Sequence, residues 1–209
     1  MFLNTLQNLS RTIYHNNKTK KHKFKPKLKI PYVWYFTDDV KTKNPCFTIR
    51  HLPKKNGIII RKYNSKQKYK NIKNLIKSAR KNSLIVLVAG NIIQFPFANG
   101  NHIPKWIYKK PKNNKIISTS VHSSRDIRKC INIKANLVFV SPIFKTTSHL
   151  HAKPLGTVKL GLLARKFKIP VIALGGINEK NIKLLRNLPI YGCAGINIFE
   201  NIIHNDTNL

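Results

Sequence analysis

Ser118, Ser120 and His122 alternate along and just beyond one β-rich run, Ile116–Val121. In a strand, such alternation places all three side chains on the same face. A neutral imidazole at a strand end can act as a general acid or base near pH 7. Two serines and a histidine therefore predict a polar site rather than core filling. The alternative is that His122 only caps the following helix.

A hydroxyl-rich segment follows the next apolar run and ends at His149. The hydroxyls of Thr146 and Ser148 can donate hydrogen bonds to an oxyanion, and Lys145 and His149 can supply positive charge. This composition suits phosphate or pyrophosphate. An ordinary polar loop has the same composition, so this segment alone leaves both interpretations open.

Two glycines, Gly175 and Gly176, stand between an apolar run and a predicted helix that begins near Asn178. Glycine lets a ligand approach the backbone closely, and a helix N-terminus offers free N–H groups and a positive dipole. The position predicts a phosphate site. A tight turn without a ligand is the alternative.

Eight short apolar runs must position these residues, and most are continuous rather than alternating, which is typical of parallel strands buried on both faces. The runs are Ile30–Thr37, Gly57–Arg61, Leu84–Ala89, Gly100–Ile103, Ile116–Val121, Leu137–Ser141, Pro170–Leu174 and Cys193–Ile198. Predicted helices lie between them at Lys66–Asn82, Ser123–Lys134, Thr157–Lys168 and Asn178–Asn187. The spacing predicts a (β/α)8 TIM barrel over residues 30–204 after a basic N-terminal extension, residues 1–29. A doubly wound open sheet is the competing topology.

The 209-residue chain carries 40 Lys and Arg against 6 Asp and Glu, a formal charge of +34. Such charge attracts nucleic acid or anionic membranes. However, Lys, Ile and Asn are all abundant, and A/T-rich codons encode all three, so we favour a compositional origin. Without a nucleic-acid-binding motif, we expect at most non-specific nucleic-acid binding.

No apolar run is long enough to span a membrane, and the apolar content of 42% argues against global disorder. Three widely spaced cysteines predict neither a disulfide framework nor a zinc site. We expect a cytoplasmic protein, with an organelle transit peptide as the alternative reading of the basic leader. No sequence feature predicts an oligomeric state.

Three C-terminal motifs together resemble thiamine phosphate synthases and the related thiazole tautomerases. They are SPIFKTTSHLHAKPLG at Ser141–Gly156, IPVIALGGIN at Ile169–Asn178 and YGCAGIN at Tyr191–Asn197. The resemblance implies a (β/α)8 barrel and a role in thiamine biosynthesis. In the synthase, a thiazole phosphate attacks a pyrimidine pyrophosphate, and magnesium assists the loss of pyrophosphate.

The resemblance also implies residue roles. Thr146 and Ser148 match hydroxyls that contact the thiazole phosphate, and Gly176 matches its backbone phosphate cradle. Ser120 matches a serine that contacts pyrophosphate. His122 matches the proton-transfer histidine of the tautomerases, which many synthases also carry.

The pyrimidine-pyrophosphate half departs from the family pattern. Arg61 is retained, whereas Lys62 is shifted by one residue from the family's lysine. Both family carboxylates that bind magnesium are missing, so Mg2+ is possible only through Asp38 or Asp39, which are weak metal candidates. Glu200 stands where the family has a serine near the phosphate, and its charge is expected to repel a phosphate dianion.

The leading interpretation is therefore a thiamine phosphate synthase-like transferase acting on small phosphorylated substrates. A thiazole tautomerase using His122 is one alternative. A non-catalytic paralogue that binds thiazole or thiamine phosphate is another, and a nucleic-acid-binding protein is supported by charge alone.

Overall fold

The computed structural model describes residues 28–42, 44–61, 68–90, 95–109, 111, 115–146 and 152–205. Almost all of the predicted N-terminal extension lies outside these ranges, so that extension stays a prediction. The same holds for three candidate ligand-binding residues, namely Lys62, Ser148 and His149.

Eight parallel strands pair in sequence order, and the last pairs with the first to close a barrel. They are β1 (Val33–Phe36), β2 (Gly57–Ile60), β3 (Ile85–Ala89), β4 (Gly100–Ile103), β5 (Ile116–Val121), β6 (Leu137–Val140), β7 (Val171–Leu174) and β8 (Gly192–Gly195). Nearly every strand residue is buried, as continuous apolar runs require. The predicted (β/α)8 TIM barrel is confirmed, and the open doubly wound sheet is wrong.

Five α-helices connect or follow these strands in the described residues: α1 (Pro45–His51), α2 (Lys68–Lys81), α3 (Ile127–Asn132), α4 (Gly156–Ala164) and α5 (Asn197–Asn205). Short 3-10 helices span Ser124–Asp126 and Ile182–Leu185. No helix in the described ranges is long and apolar enough to cross a membrane.

The structure corrects the bounds of several predicted elements, and two of them lie at the carboxyl end of the barrel. The helix predicted over Asn178–Asn187 is only the short 3-10 turn, because the Asn178 side chain accepts hydrogen bonds from the N–H groups of Lys180 and Asn181 and holds this stretch as a tight turn. The last strand ends at Gly195 rather than at Ile198, and α5 begins two residues later.

Alternate strand residues divide the core into two layers. Val33 and Tyr35 of β1 pack outward against the helices, whereas Trp34 and Phe36 fill the barrel interior. The Phe139 ring lies edge-on to both interior rings, with centroids 5.5 Å from Trp34 and 4.9 Å from Phe36. This aromatic layer closes the barrel interior beneath the carboxyl ends of the strands.

We expect Phe139→Ala to lower the free energy of unfolding by about 3–5 kcal/mol, because truncation of a fully buried aromatic ring leaves a cavity. Urea denaturation measures the loss. Leu162→Ala, at an exposed position of α4, serves as the control and should change stability far less. Similar losses for both variants would contradict the interior placement of Phe139.

Candidate active site

The carboxyl ends of the strands surround a cavity of about 580 Å³. In a (β/α)8 barrel this is the end at which chemistry is carried out. The structure brings seven of the candidate residues to the cavity wall, from segments far apart in the sequence: Arg61, Ser120, His122, Lys145, Thr146, Gly175 and Gly176.

His102 of β4 lies between two serine hydroxyls of the neighbouring strand. Its Nδ1 is 2.9 Å from Ser118 Oγ, and its Nε2 is 3.2 Å from Ser120 Oγ. The ring also packs edge-on against Phe36 and Phe139, with centroids 5.6 Å and 5.5 Å away. His102 therefore holds Ser120 in place at the floor of the cavity.

Burial, helped by the positive charges of Arg61 and Lys129, lowers the pKa of His102 to about 3. The imidazole is thus neutral at physiological pH and can donate through one ring nitrogen and accept through the other. The partnership of His102 with Ser118 depends on the register of β4 against β5, which the sequence pattern does not contain.

His122 lies at the cavity wall directly after β5. Its Nδ1 donates to the carbonyl oxygen of Ser141 at 2.7 Å. This bond fixes the ring and leaves Nε2 as the nitrogen that can meet a ligand. Ser123 caps the following 3-10 helix, in a capping box with Asp126. The suggestion that His122 only caps that helix is therefore wrong.

The loop that follows β6 packs closely against the two glycines after β7, Gly175 and Gly176. The N–H of Ile143 donates to Leu174 O and that of Phe144 donates to Gly175 O, both at 3.0 Å. Gly176 has a φ of 68°, and a Cβ there would lie 2.4 Å from Lys145 O. Only glycine allows this approach, which brings Lys145 and its loop next to the β7 end of the cavity.

Backbone segments that follow β7 and β8 border the cavity on this side. Gly176 and Ile177 line it after β7, and Ile196 and Asn197 line it after β8. The first N–H groups of α5 lack intrahelical acceptors, and the helix dipole adds positive potential there. This arrangement suits an anion such as a phosphate group.

Arg61 lines the cavity directly after β2 and is held by the end of β1. Its Nε donates to Thr37 O at 2.8 Å, and its Nη2 forms an ion pair with Asp38 Oδ2 at 2.9 Å. The guanidinium also lies over the Phe36 ring, 5.3 Å from its centroid. These contacts orient Arg61 toward the cavity.

The Asp38 carboxylate accepts hydrogen bonds from Arg61 and from the backbone N–H groups of Val40 and Lys41. Burial tends to raise its pKa, but the N–H groups of Lys41 and Val40, together with Arg61, hold the pKa of Asp38 below its usual value. Asp39 is exposed and does not line the cavity.

The predicted repulsion between Glu200 and a phosphate is wrong. Glu200 is buried in the first turn of α5 and accepts hydrogen bonds from Tyr35 Oη at 2.5 Å and Thr48 Oγ1 at 3.0 Å. Burial and this carboxylate raise the pKa of Tyr35 far above its ordinary value. Glu200 therefore fastens α5 to β1 and α1, and it is absent from the cavity wall.

The described residues do not fit a magnesium ion. None of the acidic side chains in the described ranges lines the cavity, and no group of three His, Cys, Asp or Glu residues there could hold a metal. Magnesium prefers oxygen ligands, commonly carboxylates. Asp38, the acid next to the cavity, already binds Arg61.

Comparisons with known proteins agree with the motifs of the C-terminal half. A family model described as thiamine monophosphate synthase matches residues 99–199. A protein of Aquifex aeolicus, provisionally named thiamine-phosphate synthase 2, is 37% identical over 107 residues, or 49% of this chain and 58% of that protein. Thiamine-phosphate synthase of Prochlorococcus marinus subsp. pastoris is 33% identical over 92 residues, or 44% of this chain and 25% of that protein. The chain thus matches between a quarter and somewhat more than half of the length of these relatives.

A solved structure, thiamine phosphate pyrophosphorylase from Pyrococcus furiosus, superposes with a TM-score of 0.65 at 19% identity and covers 85% of this chain and 96% of that one. At this identity the likeness shows the fold alone. The fold and the cavity define a (β/α)8 barrel with cationic side chains and a helix N-terminus at the carboxyl ends of its strands. Within this class, the C-terminal half of the chain is similar in sequence to thiamine phosphate synthases, in agreement with its motifs.

The buried neutral His102 makes stability depend on pH. Its pKa is about 3 in the folded protein and near 6.5 when exposed, so the unfolded state alone binds a proton between these values. We expect stability to fall as the pH is lowered from about 6.5 toward 3, and His102→Gln should flatten this slope in thermal unfolding. Leu162→Ala, which changes no titratable group and lies at an exposed position, is the control and should leave the slope unchanged.

Gly176→Ala should destabilise the fold by more than about 1 kcal/mol, because it adds a clash with Lys145 O to an unfavourable positive φ. Gly156→Ala is a matched control, since Gly156 has a φ of 72° but no atom within 4 Å of the added Cβ. Thermal unfolding compares the two variants. Equal losses would mean that the close approach of the β6 loop contributes nothing.

Proposed function

We propose that this chain is a thiamine phosphate synthase-like transferase that joins a pyrimidine pyrophosphate to a thiazole phosphate. The observation that carries the proposal is the meeting of Ser120, His122, Thr146 and Gly176 at one cavity of about 580 Å³. A cavity of this size accommodates small phosphorylated substrates. The family model that matches residues 99–199, which include Ser120, His122, Thr146 and Gly176, is described as thiamine monophosphate synthase, and relatives of the chain are named thiamine-phosphate synthases; both support the same activity.

The thiazole phosphate would bind at the β7 and β8 ends of the cavity. There the backbone of Gly176, the N-terminus of α5 and the Thr146 side chain offer hydrogen-bond donors and positive potential. This placement needs no metal, because the donors are backbone N–H groups and a hydroxyl.

The pyrophosphate would lie toward Ser120 and Arg61. The thiazole nitrogen attacks the methylene carbon of the pyrimidine substrate, a C–N bond forms, and the C–O bond to pyrophosphate breaks. The electron pair of that C–O bond leaves with the pyrophosphate oxygen. Arg61 and Lys145 line the cavity and can stabilise the developing negative charge. Since the described residues do not fit Mg2+, no step is assigned to a metal.

Incubation of the purified chain with both substrates tests the proposal. We expect thiamine phosphate and pyrophosphate in equal amounts. Thr146→Val should raise the KM for thiazole phosphate about tenfold, because it removes a hydrogen bond to a charged group. Lys166→Met, at an exposed lysine beyond the end of α4, is the control and should match the unchanged chain.

Two results would contradict the synthase proposal. If no thiamine phosphate forms but the chain isomerises the thiazole and His122→Ala abolishes this, the protein is a tautomerase. If thiazole phosphate raises the Tm without any turnover, the protein is a non-catalytic binder.

A further inference from the structure

Among the described residues, three cationic side chains line the cavity, and each follows a different even-numbered strand. Arg61 comes directly after β2, Lys105 lies two residues beyond β4, and Lys145 lies in the loop after β6. Alternate strands of a closed barrel therefore deliver three positive charges to one opening.

These charges are poorly compensated. Among the described residues, Asp38 is the acid that pairs with a cavity cation, and its partner is Arg61. Asp126 serves the capping box after β5, and Glu200 is buried against Tyr35 and Thr48. Lys105 and Lys145 have no carboxylate partner in the described part of the chain. Uncompensated charge in a cleft concentrates anions there.

The backbone around Lys105 is held by hydrogen bonds from a side chain of α3. Lys129 of α3 is buried, and its Nζ donates to Pro104 O at 2.5 Å and to Lys105 O at 3.0 Å. The Lys129 ammonium also lies 5.3 Å from the centroid of the Tyr108 ring. The main chain at Lys105 is thus anchored, although its side chain reaches solvent at the cavity mouth.

We propose that Arg61, Lys105 and Lys145 together hold the pyrophosphate group and stabilise its departure in place of a divalent cation. The inference rests on the proposed function and names Lys105 as a further catalytic residue. The ammonium groups of Lys105 and Lys145 together carry the formal charge of one Mg2+. The guanidinium of Arg61, oriented by Asp38, adds directed N–H donors to the same anion.

Calorimetric titration with inorganic pyrophosphate tests this assignment independently of turnover. The full chain is titrated at about 150 mM salt, which screens the general surface charge, once with EDTA and once with MgCl2. We expect affinities within about threefold of each other. Lys105→Met should weaken binding about tenfold in EDTA, and Lys105→Arg should restore most of it.

Lys166→Met is the matched control, because it removes the same charge from an exposed lysine outside the cavity wall. Equal weakening by Lys166→Met and Lys105→Met would assign the binding to general surface charge and overturn the inference. Pyrophosphate binding that requires MgCl2 would also overturn it, even if thiamine phosphate is formed. If the chain binds pyrophosphate without a metal but forms no thiamine phosphate, the proposed function is contradicted and the pyrophosphate site is still supported.

Discussion

Pairing between β1 and β8 closes the sheet, and the arrangement of the cavity depends on that closure. Val33 lies beside Cys193, and the Cys193 N–H donates to Tyr32 O at 2.9 Å. Glu200 of α5, the helix that follows β8, further stabilises this pairing by accepting a hydrogen bond from Tyr35 of β1. Because β1 leads to the groups that hold Arg61 and β8 leads into α5, an open sheet would separate the guanidinium from the helix N-terminus. Closure thus brings both sets of hydrogen-bond donors to one cavity.

The chain's large positive charge identifies no site, because basic residues occur throughout its length. What distinguishes the cavity is the distribution of the few carboxylates. In the described residues these acids cap a turn, fasten a helix, orient an arginine or lie in solvent. None of them neutralises Lys105 or Lys145. Lysines are abundant throughout the chain because of its composition. Only the three-dimensional arrangement shows which of them line the cavity.

The strands were predictable because burial on both faces requires continuous apolar runs, and the candidate residues followed from the strand ends. Glu200 was misplaced because the prediction rested on the family's serine position, whereas in this chain the first turn of α5 directs the carboxylate toward α1. Helix α1 has no predicted counterpart, since it is short and is defined by the Asn44 cap and Pro45. The roles of His102 and Lys105 depend on contacts with neighbouring strands and helices, which a linear pattern does not contain.

The close packing of the loop after β6 against Gly175 and Gly176 also limits how segments of this barrel can be exchanged with those of another barrel. A Cβ at Gly175 would lie 3.0 Å from Pro142 Cα, and one at Gly176 would meet the carbonyl of Lys145. A donor loop grafted after β6 therefore fits only if the segment after β7 comes from the same parent. Crossover points for chimeric barrels accordingly belong before β6 or beyond Ile182, so that both loops are inherited as one module.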